Sequence, residues 1–143
     1  MKNTTRALSL LLVIALVFSL TACFKPDVDI SGLWEQATYV EDTELGTGSK
    51  TVTVICCAED RSVTFTIHTN KETVGEALLE HQLISGEPGA YGLYVKVVNG
   101  ITADYDVNQC YWAFYENDDY AMSGVDLTNI EEGTIYKLIY TKG

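Results

Sequence analysis

The chain has 143 residues, of which 47% are hydrophobic, and it carries a formal net charge of −11 at pH 7. This length suffices for one domain with its own hydrophobic core. So acidic a surface repels nucleic acids and anionic lipid headgroups, and we therefore exclude nucleic acid as a partner.

The first 22 residues have the organisation of a bacterial signal peptide. Lys2 and Arg6 supply the positive charges that precede the apolar segment 7–20. This segment is typical of a signal-peptide core and is short for a helix that crosses a bilayer, which needs about 20 residues. We therefore expect residues 1–22 to be removed by cleavage after Ala22.

The segment Leu20-Thr21-Ala22-Cys23 matches the bacterial lipobox, in which the final cysteine receives the lipid. An ordinary secretory signal followed by a chance cysteine is the alternative. The lipobox predicts a lipoprotein whose Cys23 carries a diacylglycerol, with palmitate as a typical acyl chain. Acyl chains would hold the protein at the extracytoplasmic face of the bacterial cell membrane, although its surface is acidic.

Residues 23–50 are predicted to form a tether that merges into a folded domain over residues 51–143. Gly46 and Gly48 indicate a loop before the first regular strand. The apolar pairs Leu33-Trp34 and Tyr39-Val40 indicate that part of the tether packs against the domain.

A β-hairpin and a helix are predicted to begin the domain. The segments TVTVI (51–55) and VTFTIH (63–68) alternate apolar residues with threonine, which is typical of half-buried strands. Thr73 and Glu76 then have the spacing of a capping box, and apolar residues at helical spacing follow. The Ser85-Gly86 pair, with Pro88 beyond it, predicts the end of the helix.

The rest of the domain is predicted to be mostly strand. YGLYVKVV (91–98) and ITADY (101–105) flank Asn99-Gly100, a strong hairpin signal. CYWAFY (110–115) and TIYKLIY (134–140) are further strands, with a short one at 120–122. This order predicts an α+β fold, a β-grasp-like mixed sheet with one helix across one face. An all-β sandwich with one added helix is the alternative.

The strand at 110–115 is unusually aromatic. Alternation along a strand directs Trp112 and Phe114 to one face and Tyr111 and Tyr115 to the other. One helix covers only one face of the sheet, so one aromatic row should stay partly open. Tyrosine suits an open row because its ring can be buried while its hydroxyl stays in water. We expect Trp112 and Phe114 in the core, and the tyrosines, with Tyr120, at a ligand or partner surface.

The cysteines permit a disulfide. Outside the cytoplasm, Cys56 or Cys57 could bridge to Cys110. Neighbouring residues of a strand point to opposite faces, so at most one of the two can reach Cys110. Zinc is disfavoured because adjacent cysteines lack the spacer of structural zinc sites.

Metal and catalytic motifs are otherwise weak. The segment DYDVN (104–108) begins like a calcium loop, but Gln109 and Tyr115 stand where glycine and glutamate are needed. His68 and His81 have no partner at metal-ligand or catalytic spacing, and no nucleophile or phosphate-binding motif occurs. We therefore predict no metal, no enzyme cofactor and no enzymatic activity.

Four segments, in this order, resemble the transcobalamin C-terminal-like domain family: ETVGEALLEHQLI, YGLYVKVVNGITADYD, YWAFYEND and SGVDLTNIEEGTIYKLIY. The resemblance spans residues 51–142 and implies a β-grasp fold for soluble ligands. In transcobalamin and intrinsic factor this domain covers one side of cobalamin, while a helical barrel holds the other. The present sequence shows no helical barrel, and it reads Asn117-Asp118 where the family commonly has Asn-Gly. The residues that match the family's aromatic strand and following loop are Tyr111, Trp112, Phe114, Tyr115, Gly124, Val125 and Ile130.

These observations predict a membrane-anchored module that binds a soluble ligand, with cobalamin or another corrinoid as the ligand that the resemblance implies. The predicted ligand-binding residues lie on the aromatic strand and in the segment that follows it: Tyr111, Trp112, Tyr115, Tyr120, Gly124 and Val125. The alternative is an interaction module that docks on a surface protein or a wall polymer with the same face.

Overall fold

The computed structural model describes residues 30–143, and its centre is a long β-hairpin. Strands β2 (Lys50–Ala58) and β3 (Arg61–Thr69) pair antiparallel, which confirms the hairpin predicted from alternating apolar and threonine residues. Both strands are longer than predicted and turn tightly at Glu59, whose φ is 53°. The cysteines at 56 and 57 therefore lie within β2 and not in a connecting loop.

This hairpin belongs to a six-stranded mixed sheet. The other strands are β1 (Thr43–Leu45), β7 (Cys110–Glu116), β8 (Asp119–Tyr120) and β9 (Ile135–Lys142). The strand order is β1-β3-β2-β9-β7-β8, with β1 parallel to β3 and β2 parallel to β9. The aromatic strand β7 is thus second from one edge, and only the short β8 lies beyond it.

A second layer contains the helix α1 (Val74–Glu80) and a separate three-stranded sheet of β4 (Ile84–Gly89), β5 (Gly92–Val98) and β6 (Ile101–Thr102). The hairpin across Asn99-Gly100 is confirmed, because Val98 pairs with Ile101. We expected this hairpin in the single mixed sheet, and the structure places it in the second one instead.

Two predictions of local structure were wrong. The helix ends at Glu80, before the Ser85-Gly86 pair that predicted its end, and residues 84–89, which include Pro88, form β4. Because β4 is an edge strand, proline can occupy it without breaking a central ladder. The predicted strand 101–105 ends at Thr102, and a helical turn, α2 (Tyr105–Asn108), follows it. The side chain of Asp104 caps this turn by accepting the Asp106 N–H at 3.1 Å.

The core lies between the two layers and is filled by one face of the large sheet. Alternate residues of β2, β3, β7 and β9 point into it, as the period of two predicted. The 3₁₀ helix Gly32–Gln36 adds Trp34, which is 3% exposed and donates from Nε1 to the Ala58 carbonyl at 2.9 Å. Part of the segment predicted as a tether therefore completes the core.

The three cysteines within residues 30–143, Cys56, Cys57 and Cys110, are free, and the register separates Cys56 from Cys110. Cys56 pairs with Leu138, and Leu138 pairs with Phe114, four residues away from Cys110. Two strand spacings and four residues of rise put the Cα atoms of Cys56 and Cys110 about 16 Å apart, whereas a disulfide needs about 4.4–6.8 Å. The bridge that the sequence permitted is therefore not formed.

The described chain is an α+β domain dominated by sheet. Its helices are short, and among residues 30–143 no helix has the length and apolarity needed to cross a membrane. The predicted signal peptide, the cleavage site at Ala22 and the lipidated Cys23 lie outside the described residues.

Candidate functional site

A cavity of about 500 Å³ opens between the tip of the β4–β5 hairpin and the aromatic strand β7. Its volume falls in the usual range of small-molecule sites, about 300–1,000 Å³. Three parts of the chain line it: residues 89–95 of the hairpin, residues 120–125 after β7, and the side chains of Trp112, Phe114 and Leu138. Every lining side chain is uncharged, so the cavity is apolar with a few hydroxyl and backbone groups.

The floor of the cavity is fixed by two aromatic side chains of β7. Trp112 donates from Nε1 to the Ile101 carbonyl at 3.2 Å, and its ring meets that of Tyr140 edge to face at 5.4 Å. Phe114 stacks on Tyr136 with ring centroids 6.0 Å apart. Both side chains are buried, so they present a rigid aromatic surface that does not need to reorganise when a ligand binds.

The rim of the cavity carries exposed large side chains. Tyr91 is 86% exposed, Tyr120 60% and Met122 95%, and Tyr94, within strand β5, is 39% exposed. Soluble proteins rarely group exposed apolar and aromatic side chains in this way, and such groups mark interaction sites. The rim is therefore the part of the described surface best suited to contact a ligand.

The hairpin tip and the loop after β8 are tied together by Asp126. Its Oδ1 accepts the Leu93 N–H at 2.8 Å, and the Gly124 N–H donates to the Tyr91 carbonyl at 3.3 Å. Gly92 has a φ of 105°, and a Cβ on it would lie 2.5 Å from the same Asp126 oxygen. Only glycine fits there, so the two walls of the cavity are held at a defined separation.

The nearest cation does not offer a free charge to a ligand. The ammonium group of Lys96 lies 5.9 Å from the ring centroid of Tyr94, 3.4 Å from Glu87 and 3.7 Å from Asp104. Burial lowers the pKa of Lys96, but the carboxylates of Asp104 and Glu87 outweigh it, so the net pKa is raised. Lys96 stays protonated and is already paired, and an anionic ligand would find no unpaired cation there.

The predicted ligand-binding residues fall on two sides of β7. Trp112, Tyr120, Gly124 and Val125 line the cavity. Tyr111 and Tyr115 are half-buried on the opposite face of the sheet, which neither α1 nor the second sheet covers. The ring of Tyr115 contacts that of Tyr120 edge to face at 5.4 Å, so Tyr120 is the residue that links the two surfaces.

The hairpin wall of the cavity was missed by the sequence analysis. Residues 89–94, the segment GAYGLY, contain two tyrosines, two glycines, one alanine and one leucine, a pattern typical of a turn followed by a strand. The signal that could have revealed it is Tyr91, an aromatic residue between an alanine and a glycine in a turn, where a solvent-exposed ring has no packing role.

His68 has closer partners than its spacing in the sequence suggested. The ring of His68 contacts the Thr51 hydroxyl at 3.2 Å through Nδ1 and the Glu44 carboxylate through Nε2. This cluster lies on the open face at the edge strand β1 and away from the cavity. Among residues 30–143, no group of three or more His, Cys, Asp or Glu side chains could hold a metal ion.

Comparison with known proteins finds the same fold elsewhere. Residues 71–137 match the family model described as a domain of unknown function, DUF4430. A crystal structure from Ruminococcus gnavus ATCC 29149, described as a candidate metal-binding protein, is 29% identical with a TM-score of 0.62. The match covers 66% of the present chain and 99% of that one. Among curated proteins, none matches this sequence.

The second similar structure is that of haptocorrin in complex with Cbi. It shares 14% sequence identity and a TM-score of 0.52 over 65% of the present chain. Only 25% of the haptocorrin chain is covered, so the present protein corresponds to about a quarter of it. At this identity the similarity shows a common fold.

Proposed function

We propose that this protein is a lipid-anchored extracytoplasmic module that binds a soluble ligand in the cavity beside β7, with cobalamin or another corrinoid as the first candidate. The observation that carries the proposal is an apolar, aromatic-floored cavity of about 500 Å³ with an exposed tyrosine and methionine rim. The anchor rests on the lipobox that ends at Cys23.

The choice of a corrinoid is supported by two independent resemblances. The sequence motifs resemble transcobalamin C-terminal-like domains, and the fold is shared with haptocorrin, a protein solved in complex with Cbi. The β-grasp description is part of the same proposal, with α1 and the small sheet covering one face of the large sheet. The protein has no assigned catalytic role in this proposal and acts by binding alone.

The test is a titration of the chain 24–143 with cobalamin, followed by the absorbance spectrum and thermal unfolding. A ligand present at 100 times its dissociation constant should stabilise the folded state by about 2.7 kcal/mol. Such a gain would raise the melting temperature by several degrees. An unchanged melting temperature and spectrum at millimolar cobalamin would reject the corrinoid.

Two matched tyrosine variants distinguish the cavity from the open face. Tyr91→Ala removes a rim contact that belongs to the cavity alone and should weaken cobalamin binding roughly 2- to 10-fold, the range expected for one aromatic contact. Tyr111→Ala, on the other face, should leave the affinity unchanged. The reverse result would move the site to the open face that carries Tyr111 and Tyr115.

The second candidate function is docking on a surface protein or wall polymer through that open face. The supporting observation is that Tyr111 and Tyr115 remain half-exposed on a sheet face without a covering layer. This function would be favoured if a partner is crosslinked on intact cells only when Tyr111 and Tyr115 are present, and if the cobalamin titration shows no binding.

A further inference from the structure

The backbone hydrogen-bonding groups of successive β7 residues alternate between β9 and the outer edge of the sheet. Two hydrogen bonds just beyond the ends of β7 show which residues face β9. At one end the Asn117 N–H donates to the Ile135 carbonyl at 2.7 Å, and at the other the Gly143 N–H donates to the Gln109 carbonyl at 2.8 Å. In an antiparallel pair, hydrogen-bonded and non-hydrogen-bonded pairs alternate. The odd-numbered residues of β7 therefore bond to β9, and the even-numbered residues direct their N–H and C=O groups to the outer edge.

The outer edge of β7 is only partly paired. The Phe114 carbonyl accepts the Ala121 N–H at 3.0 Å, and the Cys110 N–H donates to Asn108 Oδ1 at 3.1 Å. Strand β8 pairs with residues 115 and 116 and then leaves the edge. Within residues 30–143, the N–H and C=O of Trp112 and the N–H of Phe114 have no hydrogen-bond partner.

The two residues that carry these groups belong to the cavity lining. Trp112 and Phe114 both line the cavity, and each is less than a tenth exposed. More than about 90% of buried backbone polar groups in folded proteins are paired, because an unpaired one loses its hydration without compensation. A donor, an acceptor and a second donor in a row along one strand edge therefore need partners that enter from the cavity.

We propose that the cavity accepts an extended peptide segment, which pairs with the free edge of β7 as an added strand. Groups two residues apart along a strand repeat every 6.6–6.8 Å or so, and any extended polypeptide presents carbonyl and amide groups at the same repeat. Strand addition of this kind takes its affinity from main-chain hydrogen bonds and its specificity from side-chain pockets.

The lining indicates the composition of the peptide. Side chains that point inward would meet Trp112, Phe114 and Leu138, so apolar residues are preferred there. The net charge of −11 disfavours acidic residues. The expected ligand is an extended, neutral or basic peptide with apolar residues at alternate positions.

The experiment selects ligands for the full chain, held in detergent micelles, from a displayed library of random linear dodecapeptides. A selected peptide is then resynthesised with single N-methyl groups at successive positions. Methylation of the amides that face β7 should weaken binding by about tenfold or more, since each removes a main-chain hydrogen bond. Methylation of the intervening amides should have little effect. A methyl scan without this alternation, or a selection that yields no binding peptide, would overturn the proposal.

A matched pair of variants places the peptide. Ser123 is exposed at the cavity, and Ser62 is exposed on β3 at the opposite face. Ser123→Arg should abolish peptide binding by filling the entrance, whereas Ser62→Arg should preserve it. Equal effects of the two substitutions would show that the peptide binds elsewhere.

Amide hydrogen exchange supplies a direct readout. The amides of Trp112 and Phe114 should gain at least about tenfold protection when the peptide binds, because they acquire their missing acceptors. The amide of Ala113, which bonds to β9, should change little. Cobalamin binding without peptide binding would reject this inference and leave the proposed function intact. Peptide binding without cobalamin binding would support this inference and reject the corrinoid as the ligand in the proposed function.

Discussion

Cys56 and Cys57 are neighbours in β2 but lie in different surroundings. Cys56 is fully buried in the core. Its burial is the larger cause, and the adjacent Cys57 the smaller cause, that raises the pKa of the Cys56 thiol to about 12. Burial also raises the pKa of Cys57, although the ammonium group of Lys137 opposes the shift. Alternation along one strand thus gives two adjacent cysteines different accessibilities.

We expect thiol reagents to separate the two residues. In the native protein at pH 8, iodoacetamide should modify Cys57 first, because Cys56 is both inaccessible and protonated. Peptide mass spectrometry of a time course provides the measurement, and the same reaction in denaturant serves as the control in which both residues react. Equal native rates would contradict the burial of Cys56.

Single residues also show where local patterns are informative. The alternation of CYWAFY placed Trp112 and Phe114 correctly on the buried face, because a strand has a strict period of two. It could not show that a second sheet would leave a cavity over these side chains. That depends on the β4–β5 hairpin, whose packing against β7 is not encoded in the strand itself.

Among the elements, α1 illustrates a boundary that the sequence determines. The Thr73 hydroxyl accepts the Glu76 N–H at 3.2 Å, and the Glu76 carboxylate accepts the Thr73 N–H at 3.2 Å, which confirms the capping box. Thr73→Ala should lower the free energy of unfolding by about 1 kcal/mol. Urea denaturation against the wild-type chain measures this loss, and an unchanged midpoint would show that the cap is dispensable.

The capping box also gives the stability a pH dependence. Hydrogen bonds from the Thr73 and Glu72 N–H groups lower the pKa of Glu76 below its ordinary value of 4.5. A lowered carboxyl pKa contributes stability above the unfolded value, and this contribution is lost as the pH falls through the folded value. The stability difference between wild type and Glu76→Gln should therefore shrink below pH 4.5.

Urea midpoints between pH 7 and pH 2 measure this dependence. The exposed carboxylate of Glu132 offers a control, since Glu132→Gln changes the same net charge away from the helix. A difference for Glu76→Gln that is constant with pH would contradict the role of its charge in the cap.

The β5–β6 hairpin has a second function that its turn motif concealed. Asn99 is fully buried, and its side chain accepts the Tyr39 N–H at 2.9 Å and donates to the Tyr39 carbonyl at 2.8 Å. The sequence predicted Asn99 only as part of a two-residue hairpin turn, and the structure gives it a φ of 51°. Its side-chain amide also attaches the segment that contains Tyr39 to the second sheet.

Replacing Asn99 by alanine should therefore lower the free energy of unfolding by more than replacing an ordinary turn residue does. Two part-buried backbone groups of Tyr39 would lose their partners. A fully buried group costs about 1–3 kcal/mol, and partial burial reduces this cost, so we expect a total loss of about 2–4 kcal/mol. Asn117→Ala is the matched control, because Asn117 has a φ of 52°, close to the 51° of Asn99, but is exposed. Equal urea midpoints for the two variants would refute this role.

For the whole molecule, the decisive question is where the folded unit begins. From the sequence, the domain was expected at residues 51–143, with part of residues 23–50 packed against it. Trp34, Tyr39 and strand β1 all contact the core or the large sheet. Arg61 reinforces this attachment by donating to the Val40 carbonyl at 2.6 Å.

A chain that begins at residue 51 should consequently be much less stable than one that begins at residue 30. Loss of Trp34 alone should cost about 3–5 kcal/mol, the usual range for removing a buried aromatic side chain. The remaining attachments add to this loss. Equilibrium urea unfolding of the two chains, monitored by circular dichroism, would contradict the assignment if their midpoints coincided.

The sequence alone determines the local elements of this protein, which are two hairpins, a capped helix and an aromatic strand with two distinct faces. Each depends on a short period, a turn or a cap, which nearby residues determine. The second sheet, the partners against which residues 32–45 pack and the cavity over Trp112 and Phe114 emerge only in the tertiary structure. They depend on contacts between segments far apart in the chain, and the free energy of burial selects those contacts jointly.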